Sequence, residues 1–447
     1  MSKMFCIGLN GADDNLEKLI ERFKDSIYEF FSAPPPEFFE YTARAKVKPA
    51  TKASLKTQIL KAHNANIKFN VLLNAACLSG NDFDIKFYKK IYSLIDLLVD
   101  LKVDYITITN TYLAEKISSY RYNQNYNFGL VISSWADIRD SLTAERFMEF
   151  LQEGDRIIAI SNRTLRSLER IIFLAKSKKI KIEVIVNTGC LYKCNYANNH
   201  KVYTAHKKQC SDAIEDYYKT KICIPKRIKN PLEIVMAPTI RPEDLWIYKS
   251  LGVNYFKISG REFPTEWMLD TIEAYVTKQY KGNISDLCEQ NNGFKMPYIP
   301  NDKLGGLLKI AGYQKGDINY KKFCNHFYYE KILNYEFHEK YMQYALLEGK
   351  KSTTVEKVGC IIVYNNSIIS KGHKTVNDDD VLINTLDNID KLPKNSIIYI
   401  THEPSIDSLS RINNYNTTLV YGISNKLITD YSNINLKIIP EVLIAGE

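Results

Sequence analysis

The sequence predicts an α/β protein: a (β/α)8 TIM-like barrel followed by a separate small α/β domain. Three observations lead there. Over roughly the first 280 residues, eight short β-rich runs alternate with amphipathic helical stretches, as in a parallel barrel wrapped by crossover helices. No G-x-G-x-x-G turn follows an early strand, which disfavours an open doubly wound sheet. Near Phe337 a second alternation begins, and it contains a hairpin signal.

The strands of the first region are read at Phe5–Leu9, Ser26–Phe31, Lys68–Leu73, Tyr105–Thr109, Phe128–Ile132, Arg156–Ile160, Lys181–Val186 and Tyr255–Ile258. Helical patterns fall between most of them, at Leu16–Phe23, Lys86–Leu101, Ala144–Gln152 and Leu165–Ala175. In the last of these, Leu165, Leu168, Ile171, Ile172 and Ala175 share one face. Residues 286–335 read as a connector, with Asn291-Asn292-Gly293 and Gly305-Gly306 as breakers. Beyond it, a helix carrying Phe337, Tyr341, Tyr344 and Ala345 on one face leads into Val358–Val363. An Asn365-Asn366 turn then returns the chain as Ile368–Lys371. A helix over Leu382–Ile389 and strands at Ile397–Ile400, Thr418–Tyr421 and Leu436–Ile439 complete the domain. The expected boundaries are 1–285, 286–335 and 336–447.

Composition narrows the function classes. Apolar residues make up 45% and charged residues 25%, ordinary for a globular chain. Sixty basic and 51 acidic residues leave a net charge of +9 spread along the chain, which permits nucleic-acid contact without demanding it. No run approaches the roughly 20 apolar residues of a membrane span. Met1–Asn10 lacks the apolar core of a signal peptide. The expectation is a cytoplasmic protein with no membrane partner, whose nine cysteines stay reduced.

Four of those cysteines carry the chemistry. Cys190, Cys194, Cys210 and Cys223 fall within 34 residues, the first pair spaced C-x-x-x-C just past an apolar strand. Soft thiolates select iron–sulfur clusters or zinc. The later spacings of 16 and 13 residues are irregular, whereas zinc sites favour C-x-x-C pairs. An iron–sulfur centre, a zinc site and a set of small buried thiols all remain open on the residues alone. His200 and His206 lie in the same stretch as ligands, supporting donors or surface residues. In a barrel, chemistry gathers at the C-terminal ends of strands. That rule brings the cysteines and the cluster Arg241, Lys257, Arg261 and Glu266 to one face. Arg and Lys there can clamp a carboxylate or phosphate, or close the rim as ion pairs.

The run Asn187-Thr188-Gly189-Cys190-x-x-x-Cys194, with His200, Cys210 and Cys223, resembles the cluster segment of the collagenase-like peptidase family U32. Thr239-Ile240-Arg241-Pro242-Glu243-Asp244-Leu245, Leu251-Gly252-Val253, Phe256-Lys257-Ile258-Ser259-Gly260-Arg261 and Pro264-Thr265-Glu266-Trp267 extend the likeness over roughly residues 1–300. The resemblance implies a barrel carrying a [4Fe–4S] cluster on Cys190, Cys194, Cys210 and Cys223. It implies oxygen-independent hydroxylation of a nucleobase, an RNA or an aromatic small molecule. Arg241, Lys257, Arg261 and Glu266 would bind that substrate, and the electron donor is unspecified. The family name suggests a peptidase instead, and a non-catalytic role beside a second barrel protein is the third reading. His338-Glu339 and His402-Glu403 lack the second histidine of H-E-x-x-H, because Met342 and Ile406 stand there. The cysteine-rich tail of some relatives is reduced here to Cys324.

Lys357-Val358-Gly359-Cys360, Gly372-His373 and Tyr399-Ile400-Thr401-His402-Glu403-Pro404 resemble the deoxycytidylate and riboflavin-pathway deaminases. Those enzymes bind zinc through H-x-E and P-C-x-x-C, with the Glu moving the proton. Here Asp380 and Leu382 fall at the His and Glu positions, and Ser405 and Ser408 at the two cysteines. The resemblance therefore implies a cytidine-deaminase-like domain without zinc and without deaminase activity.

Overall fold

The computed structural model describes residues 3–12, 14–41, 50–159, 165–206, 217–314, 316–376, 380–413, 415–423 and 436–442. It contains two compact units. One comprises Met1–Tyr280 with Ile284–Pro297, the other Lys281–Asn283 with Tyr298–Glu447.

The first unit is a closed barrel of eight parallel strands in sequential order. They are β1 (Phe5–Gly8), β2 (Ile27–Ser32), β3 (Lys68–Leu73), β4 (Tyr105–Ile108), β5 (Gly129–Ile132), β6 (Arg156–Ala159), β7 (Lys181–Ile185) and β8 (Tyr255–Ile258). All eight expected strands are present. Closure comes from pairing of β1 with β8, where Cys6 lies opposite Lys257. The helix Leu165–Ser177 buries Leu165, Leu168, Ile171, Ile172 and Ala175, the stripe its periodicity predicts.

The barrel interior is polar where aliphatic layers are usual. Arg156 is fully buried and pairs with Glu29 and with Glu183, the latter at 3.2 Å. Its guanidinium lies over the rings of Tyr105, Tyr255 and Tyr28, at 4.3, 5.1 and 5.6 Å. Asn70 donates to Glu29 at 2.9 Å, and Thr107 donates to Asn70 at 2.9 Å.

The second unit is a five-stranded sheet in the order β10-β9-β11-β12-β13. Its strands are β9 (Gly359–Tyr364), β10 (Ser367–His373), β11 (Ile397–His402), β12 (Thr418–Ile423) and β13 (Lys437–Ile439). β9 runs antiparallel to β10 and β11, while β11, β12 and β13 are parallel. Asn365 and Asn366 both take positive φ, as a tight hairpin turn requires.

Two expectations need correction. The expected connector 286–335 is divided between the units: residues 284–297 group with the barrel and 298–335 with the second unit. Helices Leu307–Ala311 and Gly316–Phe327 occupy the latter part, and Ile310 and Phe323 pack into its core. The helix Tyr335–Gly349 is also rotated from the expected face. It buries His338, Tyr341, Met342 and Ala345, leaving Phe337 and Tyr344 exposed. Both sets fit helical periodicity, at i, i+3, i+4, i+7 from His338 and at i, i+4, i+7, i+8 from Phe337, so packing and not spacing selects the buried stripe.

Candidate metal centre

The site grows from the C-terminal ends of β7 and β8. Beyond β7, the Asn187 amide laces the loops together. Its Nδ2 donates to the carbonyls of Ser259 at 2.7 Å and Leu287 at 3.1 Å. Its Oδ1 accepts from the Ser259 backbone N–H at 2.8 Å and hydroxyl at 2.9 Å. Thr239 Oγ1 donates to the Thr188 carbonyl at 2.9 Å, and the Gly189 N–H donates to Gln290 Oε1 at 2.6 Å. Gly189 has no space for a side chain, since a Cβ would lie 2.9 Å from Cys288 Cβ. These contacts hold the backbone immediately before Cys190.

Cys190, Cys194 and Cys223 line one cavity of about 370 Å³. Cys194 precedes the helix Ala197–His206, and Cys223 ends a π-helical turn, Tyr218–Cys223, a distortion frequent at functional sites. Cys210, the fourth expected ligand, lies outside the described residues. Cys190 turns its surface toward the cavity, yet protein crowds round it. Burial pushes its thiol up to about 12; Arg227 pulls the other way, and Cys223, Glu289 and Cys194 add to the rise.

Among the described residues, the three sulfurs do not all lie within 4.8 Å of one another. A single tetrahedral zinc with bonds near 2.3 Å would need its sulfurs roughly 3.8 Å apart. A cluster spreads its thiolates, because each binds a different iron. Arg227 lines the same cavity and is 1% exposed. Its Nη1 donates to Asn291 Oδ1 at 2.7 Å, whereas Nε and Nη2 have no hydrogen-bond partner among the described residues. Three thiols beside a buried, incompletely bonded cation fit an anionic thiolate-bound centre.

Other cavity residues are aromatic or already paired. Tyr218 stacks on His200 with centroids 5.2 Å apart. Lys219 lies over Phe263 at 5.7 Å and Phe294 at 5.1 Å. Arg139 bonds Asp137 at 2.9 Å, and Lys201 lies 3.6 Å from the same carboxylate. Burial lowers the Lys201 pKa and Asp137 partly restores it. His206 instead meets Ser79 at 3.2 Å.

The expected substrate residues sit elsewhere, and none of the four lines this cavity. Arg241 pairs with Glu243 and Asp244, both at 3.4 Å. Lys257 lies inside the barrel with Nζ 3.9 Å from the Phe31 ring centroid, and burial lowers its pKa. Arg261 is buried, and Glu266 is an exposed partner of Lys18 at 3.3 Å. For Lys257 the reason is strand alternation: a residue near the end of a barrel strand can point into the lumen instead of a loop pocket. Arg227 escaped the sequence reading, although it follows Cys223 by four residues, the spacing of one helical turn. Gln290 had no such signal. A second group, Cys6, Glu29 and Glu183, brings three potential ligand atoms within 4.8 Å. Arg156 already binds both of its carboxylates there.

In the second unit, Asp380, Ser405 and Ser408 come together. Asp380 Oδ1 accepts from the Leu382 and Ile383 N–H groups at 3.0 and 3.1 Å. The Ser408 hydroxyl donates to Asp380 Oδ2, and Ser405 Oγ lies 2.6 Å from Ser408 Oγ. Leu382 is buried, and Glu403 pairs with buried Lys309.

The sequence matches the model of peptidase family U32 over residues 14–299. An uncharacterized protease of Methanocaldococcus jannaschii is 30% identical over 315 residues, 70% of this chain and 88% of that protein. The solved structure of the U32 peptidase Mk0906 aligns with a TM-score of 0.41 at 15% identity, covering 58% of this chain and 94% of that one. A dCMP deaminase from the cyanophage S-TIM5 aligns with a TM-score of 0.21 at 21% identity, over 24% of this chain and 97% of its own. No helix among the described residues is long and apolar enough to cross a membrane.

Proposed function

The chain belongs to peptidase family U32, and on that premise we propose that it is an iron–sulfur enzyme performing an oxygen-independent hydroxylation. Its substrate class is a nucleobase, an RNA or an aromatic small molecule. Cys190, Cys194, Cys223 and, by sequence, Cys210 hold a [4Fe–4S] cluster, which supplies one-electron redox chemistry when bound. The observation that carries this reading is the meeting of three of those thiols and Arg227 around one cavity. The protein's own part is to bind and orient. Asn187, Thr239 and Gln290 hold the loop that presents Cys190. Tyr218, Trp135 and Phe263 line the cavity, so a planar substrate would meet aromatic side chains there.

A peptidase reading rests on the relative's name and would need an activated nucleophile. A thiol nucleophile works as thiolate, from a pKa lowered by a neighbouring cation or helix. Burial moves the Cys190 thiol the other way, and its sharing of one cavity with Cys194 and Cys223 suits joint ligation of a metal. Anaerobic purification followed by iron and sulfide assay tests the proposal. About four of each per chain is expected, with loss on serine substitution at the four cysteines. Cleavage of denatured collagen by metal-free protein would favour the peptidase.

For the second unit we propose a deaminase-like fold without catalytic zinc. The clustering of Asp380, Ser405 and Ser408 supports it: residues 25 to 28 apart in sequence meet where ligand positions were expected.

A further inference from the structure

We infer that Arg227 sets the reduction potential of the centre held by the cysteines. The inference rests on the cluster reading and goes beyond it, because it concerns a residue that ligates nothing. Four thiolates around an iron–sulfur core make a net negative group, and reduction adds one more negative charge. Any fixed positive charge nearby favours the reduced form, most of all where water is excluded.

The cavity contains several cations, but their surroundings differ. Arg139 and Lys201 share Asp137. Lys219 rests on the faces of Phe263 and Phe294. Arg227 is the deeply buried cation, and its one hydrogen-bond partner among the described residues is the neutral amide of Asn291. Two of its nitrogens, Nε and Nη2, donate to nothing there. A buried donor without an acceptor is costly, so such a group persists where a partner arrives with the folded, loaded protein. Thiolate or sulfide sulfur is an acceptor of the right charge, and hydrogen bonds to cluster sulfurs raise the potential. Cys223 sits one helical turn before Arg227, so the residue that ligates and the residue that tunes share one backbone segment.

The test is an anaerobic redox titration followed by electron paramagnetic resonance, with iron content and circular dichroism measured on each sample. Arg227→Met should keep its iron and lower the reduction equilibrium constant about tenfold, equivalent to about 59 mV for one electron. Arg227→Lys keeps the charge but not the planar fork, and should shift less in the same direction. Asn291→Asp leaves Arg227 in place and gives it an acidic partner at the position of the present amide. It should also lower the potential, the new carboxylate's own charge adding to the neutralised arginine. Unchanged potentials in iron-replete Arg227→Met and Asn291→Asp proteins would overturn the inference and leave the cluster reading standing. Should Arg227→Met fail to fold, Arg227→Gln, which removes the charge and keeps a polar side chain, carries the same expected loss and decides in its place. Absence of iron and sulfide from the wild-type protein would defeat the cluster reading, and this inference with it.

Discussion

Replacing Arg156 with methionine should destabilise the barrel severely while leaving the second unit intact. The side chain is fully buried and bonded to two buried carboxylates, Glu29 and Glu183. Methionine would leave both acids in the lumen with Lys257 as the remaining nearby cation; burial raises the Glu29 pKa, and Arg156 is the largest opposing influence. Breaking a buried ion pair by removing one partner costs about 3–5 kcal/mol. The lost contact with the Tyr105 ring, at 4.3 Å, adds on the order of 1 kcal/mol. Methionine recovers part of this by packing, so about 4 kcal/mol is expected. All three tryptophans, Trp135, Trp246 and Trp267, belong to the barrel unit, so their fluorescence reports its unfolding in urea. With a slope of about 3 kcal/mol per molar, the midpoint should fall by about 1.3 M. Adding Glu29→Gln leaves one acid facing one cation and should recover much of the loss. A midpoint within about 0.3 M of wild type for Arg156→Met would refute the ion-layer argument.

Three further outcomes follow from the geometry. Gly189→Ala forces a Cβ to within 2.9 Å of Cys288 Cβ; it should cost about 1–3 kcal/mol and lower the iron retained after anaerobic gel filtration, and full retention would mean the loop tolerates the shift. The triple substitution Asp380→His, Ser405→Cys, Ser408→Cys should create a zinc site, read as about one zinc per chain with a chromogenic chelator; no binding by a folded triple variant would count against the deaminase likeness. Burial holds His326 down at about 4, with Glu330 opposing and Lys437 and His338 assisting. Between about 4 and 6.5 the unfolded chain then binds a proton that the folded one refuses, so stability is full above about 6.5 and falls as pH drops toward 4. The loss should be on the order of 2 kcal/mol after discounting for partial exposure, and His326→Gln should flatten it in chemical denaturation at pH 7 and pH 5.

Much of this molecule was legible in its sequence. Strand and helix positions follow from local periodicity, which is why the eight barrel strands and the buried stripe of Leu165–Ser177 match expectation. That Cys190, Cys194 and Cys223 meet at one cavity was legible because their segment begins just past a strand end. What each side chain faces was not legible. Lys257 and Glu266 share a motif, yet one is enclosed in the lumen and the other meets Lys18 at the surface. That choice depends on barrel closure and helix rotation, which are set by contacts between residues far apart in the chain. Phe337 and Tyr344 were misread for the same reason: hydrophobicity marks a helix, but packing decides which stripe is buried. The Arg227 nitrogens without a hydrogen-bond partner among the described residues, and the meeting of Asp380 with Ser408, are likewise tertiary facts. Sequence determined which residues could do chemistry and roughly where they stand on their elements. Only the tertiary structure decided which of them share a cavity, because burial and charge compensation are properties of the enclosed volume.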